Sequence, residues 1–311
     1  MILTIFTAPK PFINPHIITI QRNAIRCWQH LGGGDGKSLE VFLVGDEPGI
    51  AATATELGVK HLPGVACNVL GTPLIGSIFN MAQQAASSSL LVYTNADMLF
   101  TSDLVQAAQQ MMCFACEVQR FLLVGQRWDL DVTQPLDFIE TWQEVLLERV
   151  HTQGHLHLAA GSDYFLFPRG LFTNIPDFTV GRAGWDNWMI YYTRQQGWPV
   201  IDATPSVMAI HQNHDYSHLP GGLPHYNLPE SSENAALAGG TVNLFTILDT
   251  DKQLINGKIS PPRITPLRLL RWAEMYLTPQ EVATGNRKGN VVRKWLARRF
   301  RRLRRRITGS L

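Results

Sequence analysis

Leu90-Leu91-Val92-Tyr93-Thr94-Asn95-Ala96-Asp97-Met98-Leu99-Phe100 sets an unbroken apolar run against a short turn carrying one acid, then becomes apolar again. A strand buried on both faces of a parallel sheet reads as such a run. Ligands of open α/β sheets sit at the carboxyl ends of the strands, and Asp97 is delivered to that edge. Aspartate also caps helices and turns chains, so its meaning depends on the sequence around it.

Upstream of this stretch, strand and helix signals alternate, as in a mostly parallel sheet with helices on both faces. Leu3 to Thr7 reads as a strand ended by Pro9 and Pro11, and His16 to Leu31 as a helix closed by Gly32, Gly33 and Gly34. Val41 to Val44 is a second strand ending in Gly45-Asp46, Ile50 to Leu57 a short helix, Val59 to Leu62 a third strand, and Ile75 to Ala86 a further helix. Downstream, strands are expected at Phe121 to Gly125, Tyr164 to Phe167, Val200 to Ile201 and Val207 to Ile210, with a helix from Trp185 to Gln196. Residues 212 to 240, rich in Gly, Pro, His and Asn, read as a long irregular segment, either lid or linker. Leu244 to Leu248 and Leu254 to Ile259 suggest a hairpin, and Pro261-Pro262 the end of the body.

At 311 residues and 45% hydrophobic, the chain can bury a sizeable core. No apolar run approaches the roughly 18 residues of a membrane span, and no signal peptide is legible, so a cytoplasmic protein is expected. Four cysteines are too few for a disulfide framework. Cys113 and Cys116 form a C-x-x-C without a second pair at zinc spacing, so two reduced thiols in or near the core are expected. No Gly-x-Gly-x-x-Gly follows the first strand and no Gly-Lys-Ser/Thr loop occurs, which disfavours dinucleotide enzymes and P-loop NTPases.

The net charge of +2 conceals a split: eleven of the 27 basic residues lie between 287 and 306, where there is no acid, leaving 16 basic against 25 acidic residues elsewhere. In that tail Val292, Leu296, Phe300, Leu303 and Ile307 recur at three- and four-residue steps beside Trp295, with arginine over nearly everything else. Such an amphipathic helix suits an anionic membrane surface. Nucleic acid is not the expected partner, because the body has no basic face to extend the site.

The order strand, helix, strand ending in Gly-Asp, a Gly71-x-x-x-x-Gly76 helix entry and an acidic strand end resembles the GT-A class of nucleotide-sugar glycosyltransferases over roughly residues 1 to 215. The resemblance implies a GT-A-like, Rossmann-like mostly parallel sheet flanked by helices. It would span 1–262, with a nucleotide-binding half over about 1–125, an acceptor half over about 126–262, and a basic amphipathic helical tail over 263–311. It also implies a divalent cation, Mn2+ or Mg2+, on the diphosphate of a UDP- or GDP-sugar, and a glycan or lipid-linked acceptor reached from the inner membrane face.

In this class the turn after the fourth strand carries D-x-D; here it reads Asn95-Ala96-Asp97, one charge short, so the cation relies more on the diphosphate. The resemblance implies Asp97 as a metal ligand and a histidine at the end of the last sheet strand, here His211, as a further metal or phosphate ligand; His214, in the same His-rich run that ends at His218, is counted with them as a metal ligand, with hydrogen-bonded loop histidines that clamp the lid as the alternative. It gives Asp186, in Gly184-Trp185-Asp186-Asn187-Trp188, as general base, with a helix N-cap as the alternative. Thr7, Ala8, Pro9 and Asp46 are implied at base and ribose, Gly71 and Thr72 at the nucleotide, Asn95 at a ribose hydroxyl or a metal-bound water, Arg127, Asp129 and Asp163 at the edges facing sugar and acceptor, and Arg182 at a phosphate. Each has a turn cap or salt bridge as its structural alternative. Two other functions stay open: a glycosyltransferase-like binding protein without catalysis, which Asn95 would favour, and a sugar nucleotidyltransferase, disfavoured because no Arg- and Lys-bearing Gly-rich signature follows the first strand.

Overall fold

The computed structural model describes residues 2–31, 39–215, 225–278 and 287–308. Gly32, Gly33, Gly34 and His218 lie outside the described residues.

The first strand, β1 (Leu3–Thr7), is buried throughout and pairs in parallel with β2 (Leu39–Val44), which in turn pairs with β3 (Lys60–Leu62). α1 (Pro15–Leu31) and α2 (Ile50–Leu57) make the crossovers. α3 (Ile75–Ala85) leads to β4 (Leu90–Thr94), which returns to the other side of β1. After the Asn95–Asp97 turn, β5 (Met98–Phe100) leaves this sheet, followed by α4 (Asp103–Ala115), β6 (Leu122–Val124) and β7 (Arg127–Leu130). Then come α5 (Trp142–Gln153), β8 (His155–Leu156), β9 (Tyr164–Pro168), α6 (Trp185–Gln195), β10 (Val200–Asp202) and β11 (Ala209–Gln212). α7 (Pro229–Leu237), β12 (Lys252–Ile255), β13 (Lys258–Ser260), α8 (Pro266–Leu277) and α9 (Arg287–Thr308) complete the described chain.

The large sheet runs β13-β12-β10-β6-β9-β4-β1-β2-β3 and is parallel except for β9 and the terminal β13. The mostly parallel sheet flanked by helices that the sequence implies is therefore present, with the C-terminal helix. A smaller sheet, β5-β11-β7-β8, stands at its carboxyl edge. Two registers prepare the site. β9 pairs Tyr164 with Thr94, which sets Asp163 beside Asn95. β11 pairs His211 with Met98 on one side and with Asp129 on the other.

The core lies on both faces of the large sheet. On one, Trp28 of α1 donates its indole N–H to the Met98 carbonyl at 2.9 Å, tying the helix to the strand just beyond Asp97. On the other, the Phe79 ring centroid lies 5.1 Å from Phe6, 5.3 Å from Tyr93 and 5.4 Å from Phe167. Aromatic pairs at such separations add to the burial itself.

Three expectations are corrected. The stretch 212–240 is not wholly irregular, because Pro229 at the first turn opens α7. Leu244 to Leu248 forms no strand. The hairpin is instead folded within the second segment, β12 to β13, around Asn256-Gly257, both at positive φ. That dipeptide is a strong hairpin-turn signal. Cys113 and Cys116 are exposed, since the buried face of α4 follows Leu104, Ala107, Ala108 and Met111 and passes them by. Among the described residues no helix is long and apolar enough to cross a membrane.

Truncating the centre of the aromatic cluster removes a packed ring and leaves a cavity. Phe79→Ala should cost about 3–5 kcal/mol in denaturant unfolding, whereas Val69→Ala on the exposed 68–72 turn should stay within about 0.5 kcal/mol. Equal losses for both would mean that the Phe79 cluster is not the packed core.

Candidate active site

The end of β4 buries Asp97, and two segments converge on it. Lys10, just past β1, brings its ammonium to 2.9 Å from Asp97 Oδ2, held there by a backbone clasp in which Lys10 N–H donates to Gln21 Oε1 and Gln21 Nε2 donates to the Lys10 carbonyl. His214 Nε2 lies 3.2 Å from the same oxygen and 2.8 Å from the Lys10 nitrogen. His211 Nε2 is 3.9 Å from Asp97 Oδ1, a buried oxygen with no hydrogen-bond partner among the described residues. Burial pushes the Asp97 carboxyl up, but the Lys10 ammonium, followed by the two imidazoles, outweighs it and holds the group well below the usual carboxylate range.

Asp97, His211 and His214 each offer one atom, all within 4.8 Å of one another. The set suits a divalent cation: one carboxylate oxygen left unbonded and two imidazoles, that of His214 aimed by a hydrogen bond from its other nitrogen. His214 Nδ1–H donates to the Asp215 carbonyl at 2.8 Å, which directs the Nε2 lone pair inward. His211 turns Nδ1 toward Asp129 Oδ1 at 3.4 Å. The Lys10 ammonium engages Asp97 Oδ2, the oxygen beside the unbonded Oδ1, and His214 Nε2, the imidazole atom such a cation would use. Protein ammonium and bound cation would therefore compete for His214 Nε2 and for the charge of Asp97.

A second layer orients the first. Asp129 accepts from His157 Nδ1 at 2.6 Å and from Arg127 Nε at 2.9 Å. Arg127 Nη1 reaches Asp163 Oδ2 at 2.5 Å, and Asn95 Nδ2 donates to Asp163 Oδ1 at 2.6 Å. Asp129 is partly desolvated, yet His157, His211 and Arg127 keep its pKa depressed. Asn95 thus spends its amide on Asp163, where an aspartate would repel it.

Asp186 stands in the first turn of α6, entered through Gly184 at φ 109°, a conformation that favours glycine. The helix N-cap is Gly184 rather than Asp186; from the first turn Asp186 Oδ1 accepts the Gly184 N–H at 3.2 Å. The preceding Trp185 ring packs edge-on to Tyr93, 5.1 Å between centroids. Burial pushes the Asp186 carboxyl up to about 6, with the Asp163 charge adding to it. Tyr93, buried, is raised further by Asp97, Asp163 and Asp186 together, so all three carboxylates act on one hydroxyl.

Other expected residues lie elsewhere or are already engaged. Thr7 is buried at the end of β1, its hydroxyl without a hydrogen-bond partner among the described residues, and Ala8 and Pro9 lead from it to Lys10. Asp46 does not present a free carboxylate for a base; its oxygens accept the Gly64 and Val65 N–H groups, at 2.9 Å and 3.2 Å for Oδ2. Gly71 and Thr72 sit in a turn closed on the Asn68 side chain. Arg182 does not stand ready for a phosphate: its Nε pairs with buried Glu230 at 2.5 Å, and Glu230 also takes Asn68 at 2.8 Å. These residues fasten α7 to the 68–72 turn. Lys10 and His157 are the site residues that the sequence reading missed.

No protein-family model matches the chain, and no curated protein matches it. Among solved structures it is similar to glucosyl-3-phosphoglycerate synthase from Mycobacterium tuberculosis, in complex with phosphoglyceric acid, at 15% identity over 76% of this chain and 78% of that one, TM-score 0.44. It is also similar to the mannosyltransferase PcManGT from Pyrobaculum calidifontis, in complex with GDP-Man and Mn2+, at 14% identity over 70% of this chain and 58% of that one, TM-score 0.40.

Removing the Lys10 charge leaves Asp97 buried without its nearest counterion. Lys10→Met should therefore lose on the order of 1–3 kcal/mol of stability, and Mn2+ should restore more of the melting temperature in the variant than it adds to the parent chain. Equal Mn2+ stabilisation of the two chains would rule out competition at Asp97.

Proposed function

We propose that this chain is a GT-A-type glycosyltransferase that moves a sugar from a nucleotide-diphosphate sugar to an acceptor hydroxyl. The observation that carries the reading is the buried Asp97 with His211 and His214 around it, in the same field as a second acid, Asp186, whose pKa lies near 6. Asp97, His211 and His214 would hold a divalent cation, which supplies positive charge to the departing diphosphate when bound. Lys10, released from Asp97, would add a protein charge to the same phosphates. Asn95, Arg127 and Asp163 form a rigid hydrogen-bonded wall from which Asp163 and Arg127 would orient the sugar. Asp186 would accept the proton of the acceptor hydroxyl, a task best served by a carboxylate whose pKa approaches the working pH. The donor class is a UDP- or GDP-sugar and the acceptor a polysaccharide or lipid-linked glycan.

A panel of UDP- and GDP-sugars with Mn2+, assayed for hydrolysis and transfer, tests the reading. Nucleotide binding without turnover would support a silent binding protein instead, and pyrophosphate-dependent synthesis of the sugar nucleotide would support a nucleotidyltransferase. Within the enzyme reading, Asp97→Ala should abolish Mn2+-dependent nucleotide binding, and unchanged affinity with and without Mn2+ would remove Asp97 from the site.

Asp186→Asn should lower turnover about 10²- to 10⁴-fold while donor binding survives. Turnover of the parent should rise with pH through about 6 as Asp186 ionises. The stability effect has the opposite sign. Because the folded carboxyl binds its proton more tightly than the unfolded one, the ionised group costs stability, in full above about pH 6 and not at all below the ordinary value of 3.8. Asp186→Asn should thus be more stable than the parent at neutral pH, by up to about 3 kcal/mol, with the gain vanishing near pH 3. A variant with normal turnover would leave Asp186 only its hydrogen bonds to the start of α6.

A further inference from the structure

α8 and α9 pack as a pair, and the contact between them is electrostatic at its centre. Glu274 of α8, its side chain 1% exposed, accepts Arg301 Nε at 2.6 Å and Arg304 Nη2 at 3.1 Å from α9, with Arg271 of its own helix 3.4 Å away. Arg271 continues to Asp249, and buried Arg268 donates to the carbonyls of Leu248 and Thr250, so the pair is fastened to the body through guanidinium groups. A buried carboxylate with three guanidiniums around it fixes which way α9 is rotated.

That rotation leaves a particular face outward. Ala297, Arg301 and Arg304 point to α8, while Val292, Trp295, Leu303 and Ile307 lie roughly a third of a turn round the helix; these four are 59%, 55%, 46% and 55% exposed. Leu296, on the same arc as this row, and Phe300, between it and α8, are half-buried. α8 adds its own row, with Leu269, Trp272 and Tyr276 exposed, and the Arg293 guanidinium lies over the Tyr276 ring between the helices. Arg298 and Arg302 lie along one side of the apolar row of α9 and Arg299 falls within it, its guanidinium 5.4 Å from the Trp295 ring centroid, and no carboxylate pairs with these three among the described residues. Positive charges three and four residues apart on one helix repel, so this face needs an anionic partner as well as an apolar one.

We propose that the α8–α9 pair is a docking surface for an anionic lipid bilayer, with the Val292–Ile307 row at the headgroup and acyl boundary and the flanking arginines on the headgroup phosphates. The Glu274 contact holds the row outward, so that the apolar side chains are presented before the bilayer is met. A nucleic acid would satisfy the arginines but leave the apolar row in water; a second copy of the chain would cover the row but bring together two strongly positive helices. A bilayer with anionic headgroups answers both demands.

The test uses the full chain and vesicles of phosphatidylcholine with and without phosphatidylglycerol. The chain should float with the anionic vesicles at low salt, not with the neutral ones, and be released at about 1 M salt, where screening shortens electrostatic reach to about 3 Å. A Trp295→Ser, Leu303→Ser chain keeps every charge and should bind anionic vesicles at least about tenfold more weakly; a Val292→Ser, Ile307→Ser chain repeats the measurement on the same row. Circular dichroism and nucleotide binding should be unchanged in both, which separates this surface from the proposed transferase site. Equal flotation with neutral vesicles, full binding by both serine chains, preference for duplex DNA over vesicles, or a parent dimer that the serine substitutions convert to monomer would each overturn the proposal.

Discussion

A carboxylate taken out of water at the end of β4 constrains everything around it. Burying an ion costs several kcal/mol unless opposite charge and hydrogen bonds come with it, and Asp97 meets that cost with groups from far along the chain: Lys10 from the end of β1 and two histidines from the end of β11. Lys10 can reach only if β1 lies directly beside β4, and His211 only if β11 turns antiparallel onto β5. Gln212 then closes the arrangement, its backbone and side-chain N–H groups both donating to the Asp97 carbonyl. The strand order of the large sheet and the existence of the small one thus meet in a single charge.

What the sequence made legible follows the same logic. Leu3 to Thr7 and Leu90 to Thr94 were readable because strands buried on both faces need apolar residues at every position. Asp97 was readable because an acid just past such a run stands at the sheet edge; His211 was readable from the same change from apolar to polar, although it lies within β11, paired with Met98 and Asp129, rather than after the strand. Lys10 was not. A lysine between two prolines reads as a surface residue, and what draws it inward is a clasp with Gln21, on a different element. His157 escaped for a related reason, since its significance rests on Asp129, on another strand. The Arg182–Glu230 pair joins residues 48 apart, and an arginine destined for a buried carboxylate looks the same in sequence as one destined for a phosphate. In the hairpin, Asn256-Gly257 carried the turn signal, but an apolar pattern continuing across it from Leu254 to Ile259 obscured the break.

The charge division between body and tail also acquires a structural form. In the acidic body Asp97, Asp129 and Asp163 stand at the sheet edge with cations beside them, whereas among the described residues of the basic tail Arg301 and Arg304 meet buried Glu274 and other arginines lie outward. Losing the Glu274 carboxylate would leave Arg301 and Arg304 without that acceptor while removing no positive charge. Orientation of α9 and its charge are therefore separable properties of this chain.

The three carboxylates around Tyr93 differ mainly in what neutralises them. Asp97 has Lys10, and Asp163 has Arg127 and the Asn95 amide. Asp186 has no cation paired with it among the described residues, only N–H donors at the start of α6. Placing titratable groups in environments that drive their pKa values apart is how one site obtains both a fixed charge and a proton acceptor at neutral pH. Here Asp97 is pinned ionised, suited to hold cations, while Asp186 is lifted to about 6, suited to take and release a proton. A cation supplied to Asp186 would lower its pKa and make the fold more stable, but would weaken it as a base. The absence of a paired cation at Asp186 is thus a cost in stability that the proposed chemistry requires.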